Sequence, residues 1–194
     1  ETQEVEGRIV SLEALQREKV QAAATELATL VKSEIIAKGA TRVAVLTLPD
    51  AAAAPLGATL PDDAARGLLT QLFAQFNTTL LAGLNGSSAR IISSEAVFAS
   101  VRANPSAFGL TNINTPACAT TAFNATGTSL LCNASPATLF ARDSVPNFNG
   151  LAAGASASTY LFADTVHPTT GGHKILADQV FTKLKEFGWV PANL

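Results

Sequence analysis

Two residues near the end of the sequence have the types and the spacing of a catalytic acid–base pair. Asp164 precedes His167 by three residues, within the run Asp-Thr-Val-His-Pro-Thr. A carboxylate at this spacing can accept a hydrogen bond from the imidazole, which fixes the ring tautomer and stabilises the imidazolium form. The other ring nitrogen can then act as a general base near neutral pH. Pro168 restricts the backbone of His167 and helps to hold the ring on a defined loop.

The Asp-x-x-His pattern by itself is weak, because most matches to it have structural roles. A metal site formed by Asp164, His167 and His173 is a competing interpretation, although no other carboxylate or histidine clearly completes a catalytic set. His173 taken alone is expected to be a helix-start residue rather than a ligand or a catalyst. Nothing in the sequence demands a metal or an organic cofactor, so we predict none.

The elements that would position this pair follow the order of an α/β protein. Apolar spacing predicts a long helix over 11–38, a second helix opened by Pro61-Asp62-Asp63 and running to about Leu84, and a last helix from Gly171 or Gly172 to about Phe187. Apolar β-branched runs predict short strands over 42–48 and 89–93, with a short helix or turn over 95–101 between the second strand and the loops. Helix, glycine-containing turn and buried strand are typical of the α/β class.

The predicted apolar faces of the first two helices can be read directly from the spacing. In the first helix the stripe consists of Val20, Ala23, Leu27, Leu30, Val31 and Ile35. In the second helix it consists of Leu68, Leu69, Leu72, Phe73, Phe76 and Leu80.

Length, charge and hydropathy exclude several classes of protein. The 194 residues and 20.0 kDa suit one domain, 1–194, with a sizeable core. A net charge of -2 without a run of Lys or Arg argues against a nucleic-acid binder. No apolar stretch is long enough for a transmembrane helix, and the polar first ten residues do not form a signal peptide. Because the sequence holds no Met, we interpret its start as a processed or engineered end.

The segment 104–159 shows no sustained periodicity and is nearly free of charge. It is far longer than an ordinary loop, so we expect it to be functional and tied by a disulfide. Cys118 and Cys132, the two cysteines of the sequence, lie within it and match no metal motif. A disulfide between them would contribute roughly 3 kcal/mol and would indicate an oxidising compartment; two free buried thiols are the alternative. Asn124 begins one of four glycosylation-like matches, which we attribute to chance.

Four segments together resemble a known family of enzymes. They are the run Gly-Ala-Thr-Arg-Val-Ala-Val-Leu-Thr-Leu-Pro-Asp at 39–50, the run Asn-Pro-Ser-Ala-Phe-Gly-Leu-Thr-Asn at 104–112, Pro116-Ala-Cys118 with Cys132, and 160–173 with its Asp-x-x-His-Pro-Thr. In this order they resemble the C-terminal part of the GDSL (SGNH) family of serine esterases and lipases. The likeness is greatest to the bacterial secreted and autotransporter-type branch and spans most of the sequence from Gly39 onward.

The resemblance implies a three-layer α/β/α, flavodoxin-like fold, of which this chain supplies the C-terminal half of the sheet and helices. It also implies hydrolysis of a carboxylic ester or lipid substrate in a secreted, periplasmic or cell-surface setting. The family's catalytic Asp and His fall on Asp164 and His167. In the acyl-enzyme route a serine attacks the ester carbonyl, His167 takes its proton, and His167 later returns it to the leaving alcohol.

The departure from the family is large. Neither its Gly-Asp-Ser nucleophile motif nor its Gly-x-Asn-Asp oxyanion segment occurs in this sequence, so the nucleophile is none of these 194 residues. Asn112 lies in a different motif and does not take the oxyanion role. We therefore expect a companion polypeptide from the same precursor to complete the sheet and to carry the serine, since half a sheet leaves an open edge and an exposed apolar face.

Two other interpretations remain open at the level of sequence. The chain could be an inactive binding or structural module that keeps the fold without the chemistry. A local serine could also replace the missing nucleophile, but none of the candidates is expected at a strand-to-helix elbow: Ser93, Ser94, Ser129, Ser156 and Ser158. The phenylalanines of the long segment could line an acyl pocket or could only anchor the loops: Phe108, Phe123, Phe140 and Phe148.

Overall fold

The computed structural model describes residues 2–121, 124–132, 150–191 and 193, with side chains from residue 12 onward. The helices are α1 (Thr2–Leu30), continued by a π-helical stretch Val31–Ile36, α2 (Asp63–Leu84), α3 (Ser94–Ala103) and α4 (Thr170–Glu186). The strands are β1 (Ala44–Leu46) and β2 (Arg90–Ile92), and short 3-10 turns cover Ala51–Ala53, Pro55–Thr59, Pro105–Phe108 and Ser129–Leu131. This is a mixed structure of the α/β class.

The chain divides into two compact units. The first, here called the sheet unit, comprises Glu1–Asp50, Asp62–Glu95 and Lys183–Leu194. The second, here called the loop unit, comprises Ala51–Pro61 and Ala96–Thr182. The candidate acid–base pair belongs to the loop unit.

The core of the sheet unit lies between α1, α2 and one face of the sheet. Leu80 and Leu84 of α2 are buried against Ala24, Ala28 and Val31, and partly buried apolar residues of both strands pack on this cluster. An ideal Cβ placed on Gly83 would lie 2.6 Å from the Cβ of Ala28. Small residues on both helices therefore allow this close contact.

The apolar stripe predicted for the first helix is wrong, because the buried residues lie about one position away from most of its members. Of its members, Val31 alone is buried, while Leu27, Leu30 and Ile35 are exposed. The buried face instead follows Ala24 and Ala28, because α2 approaches so closely at Gly83 that it selects the small side chains. The helix also begins at Thr2 rather than Ser11, since no proline interrupts the preceding residues.

The two strands form a parallel pair in which Val45 lies opposite Ile91. The carbonyl of Val43 accepts from Arg90 N and the N–H of Thr47 donates to Ile92 O. Because backbone groups of a parallel strand alternate in direction, those of Ala44 and Leu46 point to the opposite edge of β1. Within the described residues no further strand pairs with that edge.

The far end of this open edge is covered by a side chain. Asn77 of α2 is buried, and its amide accepts from Leu48 N and donates to Leu48 O, both at 2.8 Å. The amide thus takes the place of a neighbouring strand just after β1. Leu46 and Leu48 themselves remain more than a third exposed.

The loop unit is built from irregular segments around a second core. Val101, Leu110, Leu161 and Phe162 are buried together. The motif beginning at Asn104 turns through Pro105–Phe108 to Gly109, which has a left-handed φ of 71°. The chain then continues alongside 159–163, with Asn112 bridged in parallel to Tyr160. In the described part of 104–159 only 3-10 turns and isolated bridges occur, as expected from the missing periodicity.

The coarse fold prediction is confirmed, whereas its finer parts stay predictions. The described residues contain helices and a small parallel sheet, which is broadly α/β. The three-layer fold and the single domain 1–194 remain predictions. None of the described helices is long and apolar enough to cross a membrane.

Two glycines of α2 test the close helix contact. Gly83→Ala should destabilise the protein relative to Gly67→Ala by about 1–3 kcal/mol, the usual cost of overpacking. Both changes gain helix propensity, but a Cβ on Gly67 has nothing within 4 Å. Urea unfolding of the two variants measures the difference, and equal stabilities would contradict the packing described.

Candidate active site

Asp164 and His167 lie at the two ends of one tight turn. The N–H of Ala163 donates to the His167 carbonyl at 2.7 Å, and the N–H of Thr169 donates to Leu161 O. Phe162 and Pro168 face each other as an antiparallel bridge. The turn is thus closed by backbone hydrogen bonds on both sides of the pair. Leu161 and Phe162 anchor it because they are buried in the core of the loop unit.

The Asp164 carboxylate is held at both oxygens. Oδ1 accepts from the backbone N–H groups of Val166 at 3.0 Å and His167 at 2.8 Å. Oδ2 accepts from the backbone N–H of Ser129 at 2.9 Å. Since χ2 of an aspartate is a soft torsion, fixing both oxygens also fixes the plane of the carboxylate.

These contacts determine the charge of the carboxylate. Burial of Asp164 opposes ionisation, but the hydrogen bonds from His167, Val166 and Ser129 favour the ionised form more strongly. Together they hold the pKa of Asp164 well below its ordinary range. The group therefore stays an anion at every pH at which an esterase would be assayed.

The imidazole of His167 contacts this anion through one nitrogen. Nδ1 lies 2.9 Å from Oδ1 and 2.8 Å from Oδ2 of Asp164. The predicted hydrogen bond between the two side chains is therefore present. The Asp164 side chain is 9% exposed and that of His167 is 64% exposed. An anion on Nδ1 selects the tautomer that carries its proton there, which leaves Nε2 with a free lone pair.

Ser129 belongs to a disulfide-closed loop that places its backbone N–H beside the Asp164 carboxylate. Cys118 and Cys132 are bonded, with their Cα atoms 5.7 Å apart, so the predicted disulfide is present. Next to the bond, the N–H of Cys118 donates to Ala163 O, one residue before Asp164. The two ends of the loop are therefore fixed beside the aspartate that the loop contacts.

The start of α4 closes the other side of the turn. Thr169 is buried and caps the helix, since its Oγ1 accepts from Gly172 N and donates to Tyr160 O. A Cβ on Gly172 would lie 2.6 Å from Leu161 O, so this close approach requires glycine. The helix begins at Thr170, just before the predicted start at Gly171 or Gly172.

His173 lies exposed in the first turn of α4, where its N–H donates to Thr169 O. This agrees with its expected place at a helix start. Nowhere in the described ranges are three His, Cys, Asp or Glu residues grouped as a metal site. The metal interpretation of Asp164, His167 and His173 thus gains no support from the geometry.

The candidate serines are placed differently from one another. The expectation that none lies at a strand-to-helix elbow is wrong, because Ser93 and Ser94 connect β2 directly to α3. Ser94 is nevertheless buried, and its hydroxyl donates to the Thr47 carbonyl. Ser156 and Ser158 bond to each other through their hydroxyls.

Ser129 is the candidate serine that contacts the pair, but it does so from the side of the aspartate. Its backbone N–H donates to Oδ2 of Asp164 at 2.9 Å. The hydroxyls of Ser94, Ser156 and Ser158 hydrogen-bond to groups other than Nε2 of His167. In the part of the chain that the structure describes, the acid–base pair is thus present, but none of these four serines is placed to be activated by Nε2.

Sequence reasoning missed two residues that support the site, Ser129 and Asn124. The sequence alone suggests Ser129 only as a candidate nucleophile and Asn124 only as a chance glycosylation match. Asn124 is 1% exposed, and both atoms of its amide bond to Thr128, which makes glycosylation there incompatible with the fold. Phe108 packs on the core of the loop unit, whereas Phe123, Phe140 and Phe148 lie outside the described residues.

Comparison with known proteins gives no identification. No protein-family model matches the sequence, and no curated protein resembles it significantly. Any assignment of function therefore depends on the site geometry and on the motifs of the sequence.

The Asp164→Asn variant tests the role of the anion in stability. The free energy of unfolding should fall by about 1.5–3 kcal/mol or more at neutral pH, because one hydrogen bond to a charged group contributes that much. Because the folded pKa is depressed, the stabilisation is present above the ordinary aspartate pKa of about 4 and is lost as the pH falls below it. Urea unfolding of both proteins from pH 7 to pH 2 should show the difference shrinking below pH 4. A difference independent of pH would refute this role.

Proposed function

We propose that this chain provides the histidine and aspartate of a serine carboxylic-ester hydrolase of the GDSL (SGNH) type, acting on an ester or lipid substrate. The observation that carries the proposal is the contact of Nδ1 of an exposed imidazole with a buried, ionised carboxylate. An imidazole oriented this way accepts a proton at Nε2 from a serine and returns it to the leaving alcohol. Asp164 orients the ring and stabilises the imidazolium formed after the first transfer.

The nucleophile and the oxyanion hole come, in this proposal, from a companion polypeptide that carries a Gly-Asp-Ser motif. Two independent observations support a companion. The hydroxyls of Ser94, Ser156 and Ser158 hydrogen-bond to groups other than Nε2 of His167, and Ser129 hydrogen-bonds to Asp164 instead. Separately, within the described residues no strand pairs with the edge of β1 at Ala44 and Leu46.

Exposed apolar side chains of the sheet unit support the same conclusion. Large apolar residues that are at least 37% exposed include Leu12, Leu15, Leu27, Leu30, Ile35, Leu46, Leu48 and Leu81. An open strand edge together with exposed large apolar residues is typical of a surface that another segment covers. A further parallel strand on β1 would pair the free backbone groups and cover Leu46.

A location outside the cytoplasm is also part of the proposal. The Cys118–Cys132 disulfide supports it, because such bonds persist in oxidising compartments. The chain would accordingly act in a secreted, periplasmic or cell-surface setting.

The His167→Ala variant tests the proposed chemistry. In the protein assembled with its companion, hydrolysis of short-chain p-nitrophenyl esters should fall by about 10²–10⁴-fold, the usual contribution of a general base. The KM should change little, because the imidazole acts in proton transfer rather than in binding the ester.

His173→Ala is the matched control, since it removes the other histidine of the chain from an exposed helix position. It should hydrolyse the ester at the unaltered rate. An equal loss in both variants, or none in His167→Ala, would refute the assignment. No hydrolysis by the assembled protein would favour the inactive binding or structural module instead.

A further inference from the structure

We propose that Asn124 is a positioning residue for the Asp164–His167 pair, acting through the backbone N–H of Ser129. The inference rests on the proposed esterase function and adds to it a residue outside the Asp-x-x-His segment. The hydrogen-bond partners of Asn124 are Thr121 and Thr128 rather than either member of the pair. Its influence would run through the disulfide-closed loop between Cys118 and Cys132.

The loop is organised around the amide of Asn124. Its Oδ1 accepts from Thr128 N at 2.9 Å and its Nδ2 donates to Thr128 O at 3.0 Å. Its own N–H donates to the hydroxyl and the carbonyl of Thr121. One buried side chain therefore fixes both backbone groups of the residue that directly precedes Ser129. Leaving these backbone groups unpaired would lower the stability of the fold, so the hydrogen bonds to Asn124 hold Thr128 in place.

The consequence for the site follows from the two oxygens of Asp164. The Val166 and His167 N–H groups hold Oδ1 and belong to the same tight turn as the aspartate. Ser129 N–H holds Oδ2 and comes from a separate segment. If Ser129 moves away, the carboxylate can rotate about its soft χ2 torsion. Nδ1 of His167 then loses a fixed acceptor.

The disulfide and the 3-10 turn Ser129–Leu131 also hold Ser129 in place. Thr128 caps the turn Ser129–Leu131, and Cys132 N donates to Ser129 O at 3.2 Å. Ser129 is thus fixed on one side by the covalently tethered Cys132 and on the other by the residue that Asn124 binds. A small error in the placement of a catalytic group can reduce the rate by up to about 10²-fold. Through Ser129, the disulfide-closed loop can therefore control the placement of the Asp164 carboxylate and of the His167 ring.

The test compares Asn124→Ala with Asn112→Ala in the protein assembled with its companion. Asn112 lies in the same unit, and its side chain organises a turn through Asn114 and Thr115 instead. We expect Asn124→Ala to lower kcat for a short-chain p-nitrophenyl ester by about 10- to 100-fold with unchanged KM. The Asn112→Ala variant should keep the native kcat.

Amide hydrogen exchange supplies a readout that does not depend on activity. The Ser129 amide should exchange faster in Asn124→Ala, while the His173 amide of α4 should keep its native rate. If α4 also loses its protection, the variant has unfolded. The Cys118→Ser, Cys132→Ser pair then replaces it, because this pair removes the covalent closure and leaves the loop hydrogen bonds possible.

The outcomes separate this inference from the proposed function. Faster Ser129 exchange with native kcat, or native exchange at Ser129, would overturn the role of Asn124 and leave the esterase intact. A native complex without hydrolysis would overturn both proposals. Faster exchange together with lower kcat and native KM supports the positioning role.

Discussion

The site depends on the backbone hydrogen bonds that keep the Asp164 carboxylate ionised while it is buried. Without the N–H groups of Val166, His167 and Ser129, burial would favour the neutral acid, which would lose its electrostatic hold on His167. Two of these donors come from the tight turn itself, and the third comes from the disulfide-closed loop. In the loop unit, backbone N–H groups of a turn and of a 3-10 turn thus fix the carboxylate, as a helix or strand would in a regular structure.

The sheet unit is organised by a different constraint, the close contact between α1 and α2. Ala28 and Gly83 set the distance between the helices, and this contact decides which face of α1 is buried. The larger residues of α1 remain exposed as a result. The edge of β1 that no described strand pairs with and these exposed side chains are the features that another segment would cover. A companion polypeptide is part of the proposed function for this reason.

The sequence predicts the elements of this structure better than it predicts their environment. The helix over 63–84, the strands around Val45 and Ile91, and the disulfide could be predicted because each depends on local spacing or on a unique pair. The buried face of α1 could not, since it depends on a glycine of another helix. Asp164 and His167 are visible as a motif, whereas Asn124 and the N–H of Ser129 act through backbone geometry and leave no pattern in the sequence. Ser93 and Ser94 are a further example. They lie between a strand and a helix, as a catalytic serine can, and the burial of Ser94, which the sequence does not reveal, argues against that role.

The central claim is that His167 and Asp164 serve a serine on another polypeptide. It is tested most directly by labelling the protein, purified from its native source, with a fluorophosphonate and then recording a denaturing intact-mass spectrum. The account predicts that the 20.0 kDa chain is unmodified and that a second polypeptide containing Gly-Asp-Ser carries the label. A label on the 20.0 kDa chain, or no label on any polypeptide, would contradict it.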